Sequence, residues 1–234
     1  MAYEVIKEAL LELLAPTRCA GCERPGSVLC DTCIEELGTY RTTHPCPRCG
    51  APYGELVCTE CQTQDHSFSR VWCLGELDGP LSRAIVIYKD AFEIRLGPLL
   101  GDLLAQHCAF QCIAQEMPIE VVTWIPPSVR ALRQRGYDHA GILAHCVARR
   151  LGLEATQYLK RRDRRDMRKL TREQRQQEAR DSYQYLDDKV DHTDTNLLIV
   201  DDVLTTGATL DGAAQMYLDR GAQTVIGAVL ARAW

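Results

Sequence analysis

The chain has 234 residues, of which 46% are hydrophobic and 25% are charged, and its formal net charge is −5 at pH 7. This length suits one ordinary α/β domain plus a smaller unit. The composition excludes a disordered or fibrous chain, and no apolar run of the sequence approaches the roughly 20 residues of a membrane-spanning helix.

The N-terminal residues predict a short amphipathic helix. Glu4, Lys7, Glu8 and Glu12 stand between its apolar positions, whereas a secretory signal needs an uninterrupted apolar centre. We therefore expect a cytoplasmic protein without a membrane span.

Eight of the 12 cysteines lie in the first 61 residues, as four Cys-x-x-Cys pairs. One tight turn can place both sulfurs of such a pair on a tetrahedral ion, and two turns complete a structural zinc site. The pairs therefore predict two zinc sites. The eight expected ligands are Cys19, Cys22, Cys30, Cys33, Cys46, Cys49, Cys58 and Cys61.

The spacing leaves the pairing of these turns open. Short inner loops favour joining the first pair to the second and the third to the fourth, and a cross-braced site built from the first and third pairs is the alternative. An iron–sulfur cluster is a further alternative, which the even repetition of the pairs disfavours. Because sulfur already supplies eight ligands, we interpret His44 and His66 as surface residues.

The cysteine-rich segment contains little apolar material between residues 15 and 65, so zinc must supply much of its folding energy. Its basic and acidic side chains offset each other, which favours a structural or protein-docking role. We place the domain boundary after residue 66, with the second domain spanning residues 67–234.

The second domain has the pattern of an α/β fold. Val71–Leu77 and Ala84–Tyr88 predict short strands, or a strand followed by a helix, and Leu96–Ala114 predicts an amphipathic helix. Val121–Ile125 predicts a buried strand ending in two prolines, and a helix is expected over His139–Leu151. The other cysteines fall in apolar patterns and are interpreted as packed thiols. They are Cys73, Cys108, Cys112 and Cys146.

Two basic segments are candidates for binding a diphosphate. Arg130, Arg133 and Arg135 follow the proline turn, and guanidinium groups so spaced can make several charge-assisted contacts with one anion. A solvated, arginine-rich start of a helix is the alternative. Residues 160–175 carry nine basic and three acidic side chains, which suit either a lid over a pyrophosphate or a solvated charge run. The remaining candidates for this role are Lys89, Arg172 and Arg175.

Residues 197–210 carry the most specific chemical signal. Four apolar residues predict a buried strand, Asp201 and Asp202 stand near its C-terminal end, and a Thr/Gly-rich turn leads into a helix over Leu210–Arg220. The turn can aim backbone N–H groups and hydroxyls at one phosphate. The expected phosphate ligands are Thr205, Thr206, Gly207, Ala208 and Thr209. Ionised carboxylates accept hydrogen bonds only, so the acid pair suits the two hydroxyls of a ribose. A capped surface helix after an acidic strand end is the alternative.

This strand, acid pair and Thr-Thr-Gly-x-Thr turn resemble the type I phosphoribosyltransferases, which bind phosphoribosyl pyrophosphate (PRPP). With the four Cys-x-x-Cys turns, the chain resembles the ComF competence-protein family, in which a double zinc ribbon precedes a phosphoribosyltransferase domain with a Rossmann-like, mostly parallel sheet. Ile125-Pro126-Pro127 and Arg135-Gly136-Tyr137 add to the likeness. His139 stands where relatives usually have glutamine.

The resemblance implies an Mg²⁺-dependent transfer of phosphoribose from PRPP to an unknown acceptor, with Asp201 and Asp202 as the catalytic pair. Mg²⁺ would be bound mainly by the hydroxyls and diphosphate of PRPP. The family's link to DNA uptake in natural transformation suggests single-stranded DNA and competence or helicase-type proteins as partners. Non-enzymatic handling of single-stranded DNA and PRPP sensing are the alternative functions.

Overall fold

The structure is a computed structural model that describes residues 16–39, 45–51, 56–162 and 181–233. The predicted N-terminal helix, His44 and most of the basic run, including Arg172 and Arg175, lie outside these residues. The helices that the structure describes include none that is long and apolar enough to cross a membrane.

The core of the second domain is a four-stranded parallel sheet in the order β1-β6-β5-β2. Its strands are β1 (Arg70–Glu76), β2 (Val121–Trp124), β5 (Asn196–Leu204) and β6 (Thr224–Arg232). The two central strands, β5 and β6, are almost continuously buried, as expected for parallel strands covered on both faces. A separate antiparallel pair consists of β3 (Leu159–Arg161) and β4 (Tyr183–Tyr185). The predicted α/β sheet is confirmed.

Helices cover both faces of the sheet. Within the described part of this domain, the helices are α3 (Gly79–Asp90), α4 (Leu96–Ala114), α5 (Val129–Arg135), α6 (His139–Leu151) and α7 (Ala208–Leu218). Residues of α3, α4 and α6 form one buried cluster with alternate side chains of the strands. Leu210 and Tyr217 of α7 pack with the opposite face, against Ile199 and Val229.

Two predicted helices have the expected bounds, Leu96–Ala114 and His139–Leu151. Of the two alternatives for Ala84–Tyr88, the helix is observed, as part of α3. The arginine segment after the proline turn is helical, because Ser128 caps the short helix α5 by accepting from the N–H of Ala131. Gly136 then ends this helix with a φ of 79°.

The cysteine-rich segment forms two small units, each with one short helix: α1 (Asp31–Thr39) and α2 (Thr59–Thr63). The apolar residues of the first unit, including Leu29 and Leu37, join the same buried cluster as Trp72 and Leu81 of the second domain. This unit therefore does not rely on a core of its own, since it shares the large one.

The helices α4 and α6 are closely packed at Gly101. A Cβ atom at this position would lie 2.8 Å from both Cβ and Sγ of Cys146. Glycine is therefore required here for close packing, and not for its backbone conformation.

Gly101→Ala is expected to destabilise the fold by about 1 to 3 kcal/mol, because the added methyl group forces the two helices apart. Urea unfolding followed by circular dichroism measures the change. Gln106→Ala, an exposed substitution on the same helix, is the control and should stay within about 0.5 kcal/mol of the parent. Equal stability of the Gly101 variant and the control would contradict the packing argument.

Candidate functional site

The predicted phosphate-binding turn is a bend between β5 and α7, and it lies at the carboxyl end of the sheet. Gly207 immediately precedes α7 with a φ of 77°, a conformation that side chains other than glycine rarely adopt. A Cβ atom at Gly207 would contact the ring of Phe68 at 3.5 Å. The bend is therefore held in a left-handed turn against an aromatic wall.

The bend presents backbone donors. Among the residues that the structure describes, no acceptor is found for the amide N–H groups of Thr205, Thr206, Gly207 and Thr209, and Ala208 has only a long contact of 3.4 Å to Thr206 Oγ1. Thr205, Gly207 and Thr209 line a small cavity of about 40 Å³. Unpaired N–H groups at a helix N-terminus, together with the positive end of the helix dipole, are suited to an anion.

Asp202 is the electrostatic centre of the site. Its side chain is 5% exposed, and its Oδ2 lies 2.5 Å from Lys89 Nζ and 3.1 Å from His139 Nε2. Its Oδ1 accepts a hydrogen bond from the N–H of Val203. Burial opposes ionisation, but the contacts with His139 and Lys89 outweigh it and hold the pKa of Asp202 below its usual range. Asp202 is therefore a buried carboxylate.

The proton of His139 can be assigned from its second nitrogen. Arg135 Nη1 lies 3.2 Å from His139 Nδ1. Because arginine only donates, Nδ1 accepts, which leaves the N–H of Nε2 to donate to Asp202. A row of side chains thus runs from Arg135 through His139 and Asp202 to Lys89.

Asp201 differs from its neighbour. Its carboxylate accepts from the N–H of Asp202, while burial and the adjacent charge of Asp202 raise the pKa of Asp201 well above its usual value. The pair therefore holds one negative charge more readily than two, and Asp201 is the member that takes up a proton.

The acid pair faces a cavity of about 480 Å³ that extends from the bend to the proline turn after β2. Asp201, Asp202, Thr205 and Thr209 line it, so the structure brings the acid pair and part of the bend to one space. Of the predicted diphosphate ligands within the described ranges, Lys89 and Arg135 also line this cavity. Arg130 and Arg133 are exposed on α5 and do not.

Sequence reasoning did not identify His139 and Arg161 as lining residues of this cavity. The usable signal for His139 was its position at the start of a helix, where a side chain reaches the carboxyl end of the sheet. Arg161 ends β3 and was grouped with the basic run, so no separate signal distinguished it.

The eight cysteines form two compact clusters that fit zinc. In each cluster, made of Cys19, Cys22, Cys30 and Cys33 or of Cys46, Cys49, Cys58 and Cys61, the four sulfurs lie within 4.8 Å of one another. The Cys22–Cys30 and Cys49–Cys58 sulfur distances are both 3.6 Å. Tetrahedral Zn–S bonds of about 2.3 Å imply sulfur separations of about 3.8 Å. The pairing is sequential, and the cross-braced alternative is wrong.

One cysteine of each cluster has a lowered pKa, whereas burial raises the pKa of Cys33 in the first cluster and of Cys49 and Cys61 in the second. Burial alone would raise the pKa of Cys19, but the N–H groups of Cys30, Cys22 and Gly21 donate to its sulfur and lower the pKa to about 6. The pKa of Cys46 is lowered to about 7 in the same way, by N–H groups that include that of Cys58. Backbone donors thus favour the ionised sulfur that a metal requires.

The interpretation of His66 as a surface residue is wrong. Its side chain is 13% exposed, stacks on Phe68 with 4.5 Å between ring centroids, and lies 3.8 Å from Asp211 of α7. The N–H of Ser67 donates to the same carboxylate at 2.6 Å. The segment after the second cysteine cluster is therefore fixed to the first turn of α7, directly beside the bend.

Comparison with known proteins identifies two domain types in the chain. The family model of the double zinc ribbon domain matches residues 10–73, and that of the phosphoribosyl transferase domain matches residues 138–233. The structure, the cysteine clusters and these matches agree on a double zinc ribbon followed by a phosphoribosyl transferase domain with a parallel sheet.

Several curated proteins are similar over nearly their whole length. DNA utilization protein YhgH of Escherichia coli (strain K12) is 25% identical over 233 residues, covering 91% of this chain and 96% of that protein. Competence protein F of Haemophilus influenzae is 25% identical, and the match covers 88% of this chain and 90% of that protein. Competence protein ComFC of Bacillus subtilis is 26% identical, and the match covers 85% of this chain and 81% of that protein.

A hypoxanthine phosphoribosyltransferase from Staphylococcus aureus is a solved structure with some likeness. It is 12% identical, with a TM-score of 0.38, and the match covers 58% of this chain and 64% of that one. This likeness is too low to carry an argument about the site.

The purified chain is expected to contain two zinc ions, and Cys58→Ser is expected to retain one, because each cluster needs all four sulfurs for tight binding. Metal analysis of the purified proteins gives the count. Cys112→Ser, which changes a cysteine outside both clusters, should leave the count at two. One zinc in the parent protein, or two in the Cys58 variant, would contradict the assignment.

Lys89→Met is expected to destabilise the fold by about 2 to 3 kcal/mol at neutral pH, because it leaves the buried Asp202 carboxylate without its lysine partner. The value lies at the low end for a broken buried pair, since Lys89 is 30% exposed. Denaturant unfolding measures it. Lys189→Met, on an exposed turn, serves as the control, and an equal small effect of both substitutions would count against the pair.

Proposed function

Because the chain belongs to the ComF competence-protein family, in which a double zinc ribbon is joined to a phosphoribosyl transferase domain, we propose that it binds PRPP together with Mg²⁺ and transfers phosphoribose to an acceptor. In this proposal the bend from Thr205 to Thr209 holds the 5-phosphate. Asp201 and Asp202 face the ribose hydroxyls, and the cations around the 480 Å³ cavity face the diphosphate.

One observation carries the proposal. Unpaired N–H groups of the bend lie at the start of α7, and the carboxylates of Asp201 and Asp202 lie a few residues earlier on the same strand end. An anion site and a pair of carboxyl groups are thus side by side, which matches a molecule with a phosphate at one end and a diol beside it. A plain helix cap would not require the buried acid pair.

The donor set is compatible with Mg²⁺, which prefers carboxylate and other oxygen ligands and keeps several from water or substrate. Oxygens of Asp201 and Asp202 lie within 4.8 Å of each other and of His139. Since Oδ2 of Asp202 already contacts Lys89 and His139, the protein would contribute few ligands, and the hydroxyls and diphosphate of PRPP would supply most of them. The ion would neutralise the leaving diphosphate.

The residues of the chain would act by binding and by electrostatics. In the transfer, the bond between C1 of the ribose and the diphosphate oxygen breaks, and a bond from C1 to the acceptor forms. Lys89 and Arg135 at the cavity wall would stabilise the negative charge of the leaving diphosphate, and the carboxylates would stabilise the positive charge that develops on the ribose. No side chain forms a covalent bond in this scheme.

Single-stranded DNA is a second candidate ligand, because relatives with matches over most of their length are named for DNA utilization and competence. Contacts would be made through phosphates, so binding would weaken steeply as salt is raised. The zinc module would serve as a docking surface for competence or helicase-type proteins.

In isothermal titration calorimetry with Mg²⁺, the protein is expected to bind PRPP, and Asp201→Asn/Asp202→Asn to lose at least tenfold in affinity, because the amides remove two acceptors of the ribose diol. Asp187→Asn/Asp188→Asn, at an exposed adjacent acid pair, is the matched control and should bind as the parent does. Equal affinity of all three proteins would remove the site. Release of diphosphate on adding candidate acceptors then tests for turnover.

A further inference from the structure

The helix α4 is apolar on its outer face as well as on the face that packs into the domain. Leu96, Leu100, Leu104 and Cys108 are fully buried in the shared core. Asp102 is the only Asp, Glu, Lys or Arg among the 19 residues of the helix. A surface helix ordinarily carries charged side chains opposite its apolar stripe, whereas a helix that is apolar all round is normally covered on every side. The outer face of α4 is therefore expected to have a partner.

Five residues form a stripe along this outer face. They recur at alternating intervals of four and three residues, which keeps them on one side of the helix, and they are Leu99, Leu103, Gln106, Phe110 and Ile113. Leu99, Phe110 and Ile113 are 37%, 54% and 79% exposed, and Leu103 is partly buried. Large apolar side chains on successive turns make a patch of the kind that marks an interaction surface.

The stripe is arranged to fit a second copy of itself. Gln106, its polar member, stands seven residues from Leu99 and seven from Ile113. When two copies pack antiparallel about a two-fold axis near Gln106, the Leu99 side chain of each copy lies near Ile113 of the other. The two Gln106 amides then meet at the centre, where each offers both a donor and an acceptor. A polar pair within an apolar seam specifies the register of the two helices.

From this arrangement we propose that the outer face of α4 is the interface of a symmetric, antiparallel homodimer of this chain. A partner recognised by its charge is disfavoured, because the stripe contains no charged side chain. Asp102, at the border of the stripe, already forms an ion pair with Arg149 at 3.1 Å. The uncharged stripe and its central amide are complementary to the same stripe in reverse.

The size of the stripe determines what strength of association to expect. The 14 residue steps from Leu99 to Ile113 span roughly 21 Å, and a helix with its side chains is about 10 Å wide. This strip is smaller than the roughly 800 Å² that each partner buries in a stable interface. The apolar surface continues at Phe110, which borders a cavity of about 180 Å³ together with Pro45 and Pro47 of the second ribbon. We therefore expect a reversible dimer with a dissociation constant of about 1 μM or weaker.

Sedimentation equilibrium of the full zinc-loaded chain at about 1 to 500 μM protein covers the range expected for such an interface. Ile113→Lys places a charge in the apolar seam and should raise the dissociation constant at least about tenfold. Its fold should persist, because a lysine in the last turn suits the helix dipole. Leu186→Lys is the matched control, at an apolar residue that is 53% exposed outside α4, and it should dimerise as the parent does. Circular dichroism and zinc content verify that each variant is folded.

Gln106→Glu and Gln106→Lys test the two-fold axis itself. Each variant alone brings two like charges together at the centre of the interface and should dimerise more weakly than the parent. An equal mixture of the two variants should regain the dimer, because unlike charges then meet. A parent that is monomeric over the whole concentration range would overturn the interface. So would an Ile113→Lys variant that dimerises as the parent does, or a mixture that associates no better than either variant alone.

The interface goes beyond the proposed function and does not depend on it. The 480 Å³ cavity has no lining residue from α4, so Ile113→Lys should bind PRPP as the parent does. A monomeric parent that binds PRPP would remove the interface and leave the proposed transfer standing. A dimeric parent that does not bind PRPP would have the opposite meaning.

Discussion

The buried ion pair between Asp202 and Lys89, with His139 beside it, is the interaction on which the arrangement of the site depends. It joins the end of β5 to the last turn of α3 and the first turn of α6. A carboxylate that is 5% exposed is costly unless cations compensate it. The three elements therefore have to meet at one point, and the 480 Å³ cavity is the space that opens above this point.

A second set of contacts fixes the bend from the opposite side. Asp211, in the first turn of α7, accepts from Ser67 and lies beside His66, and Phe68 packs against Gly207. Arg232, at the end of β6, donates to the carbonyl of Leu204 in β5 and forms an ion pair with Glu60 of the ribbon. The donors of the bend are thus held in place without using their own N–H groups. Preorganised donors of this kind bind an anion without the cost of ordering a loop.

The two metals implied for this protein have different physical roles. Zinc fits sites made entirely of protein sulfur, and the ribbons that it closes also form walls and packing surfaces for the second domain. Magnesium, in the proposed function, would depend on oxygens of the ligand, because Lys89 and His139 already contact one oxygen of the acid pair. Loss of zinc would therefore act on the fold, and loss of magnesium on binding alone.

Local patterns in the sequence determined the elements and the ligand types. The spacing of the cysteine turns predicted two sulfur sites, and apolar periodicity predicted Leu96–Ala114 and His139–Leu151 with the observed bounds. The strand, the acid pair and the bend could also be predicted from a local pattern, because they are consecutive in the chain. The pattern of the sequence does not determine a helix as short as Val129–Arg135, because a single cap such as that of Ser128 can decide whether it forms.

Only the tertiary structure decided which distant side chains share an environment. The sequence presented Asp201 and Asp202 as equivalent. In the structure, contacts with His139 and Lys89 hold the pKa of Asp202 low against burial, whereas burial and the charge of Asp202 raise the pKa of Asp201. The sequence likewise contained no indication that His66 would be buried beside the bend. These outcomes depend on distance and on desolvation between elements far apart in the chain, and neither quantity is encoded in local spacing.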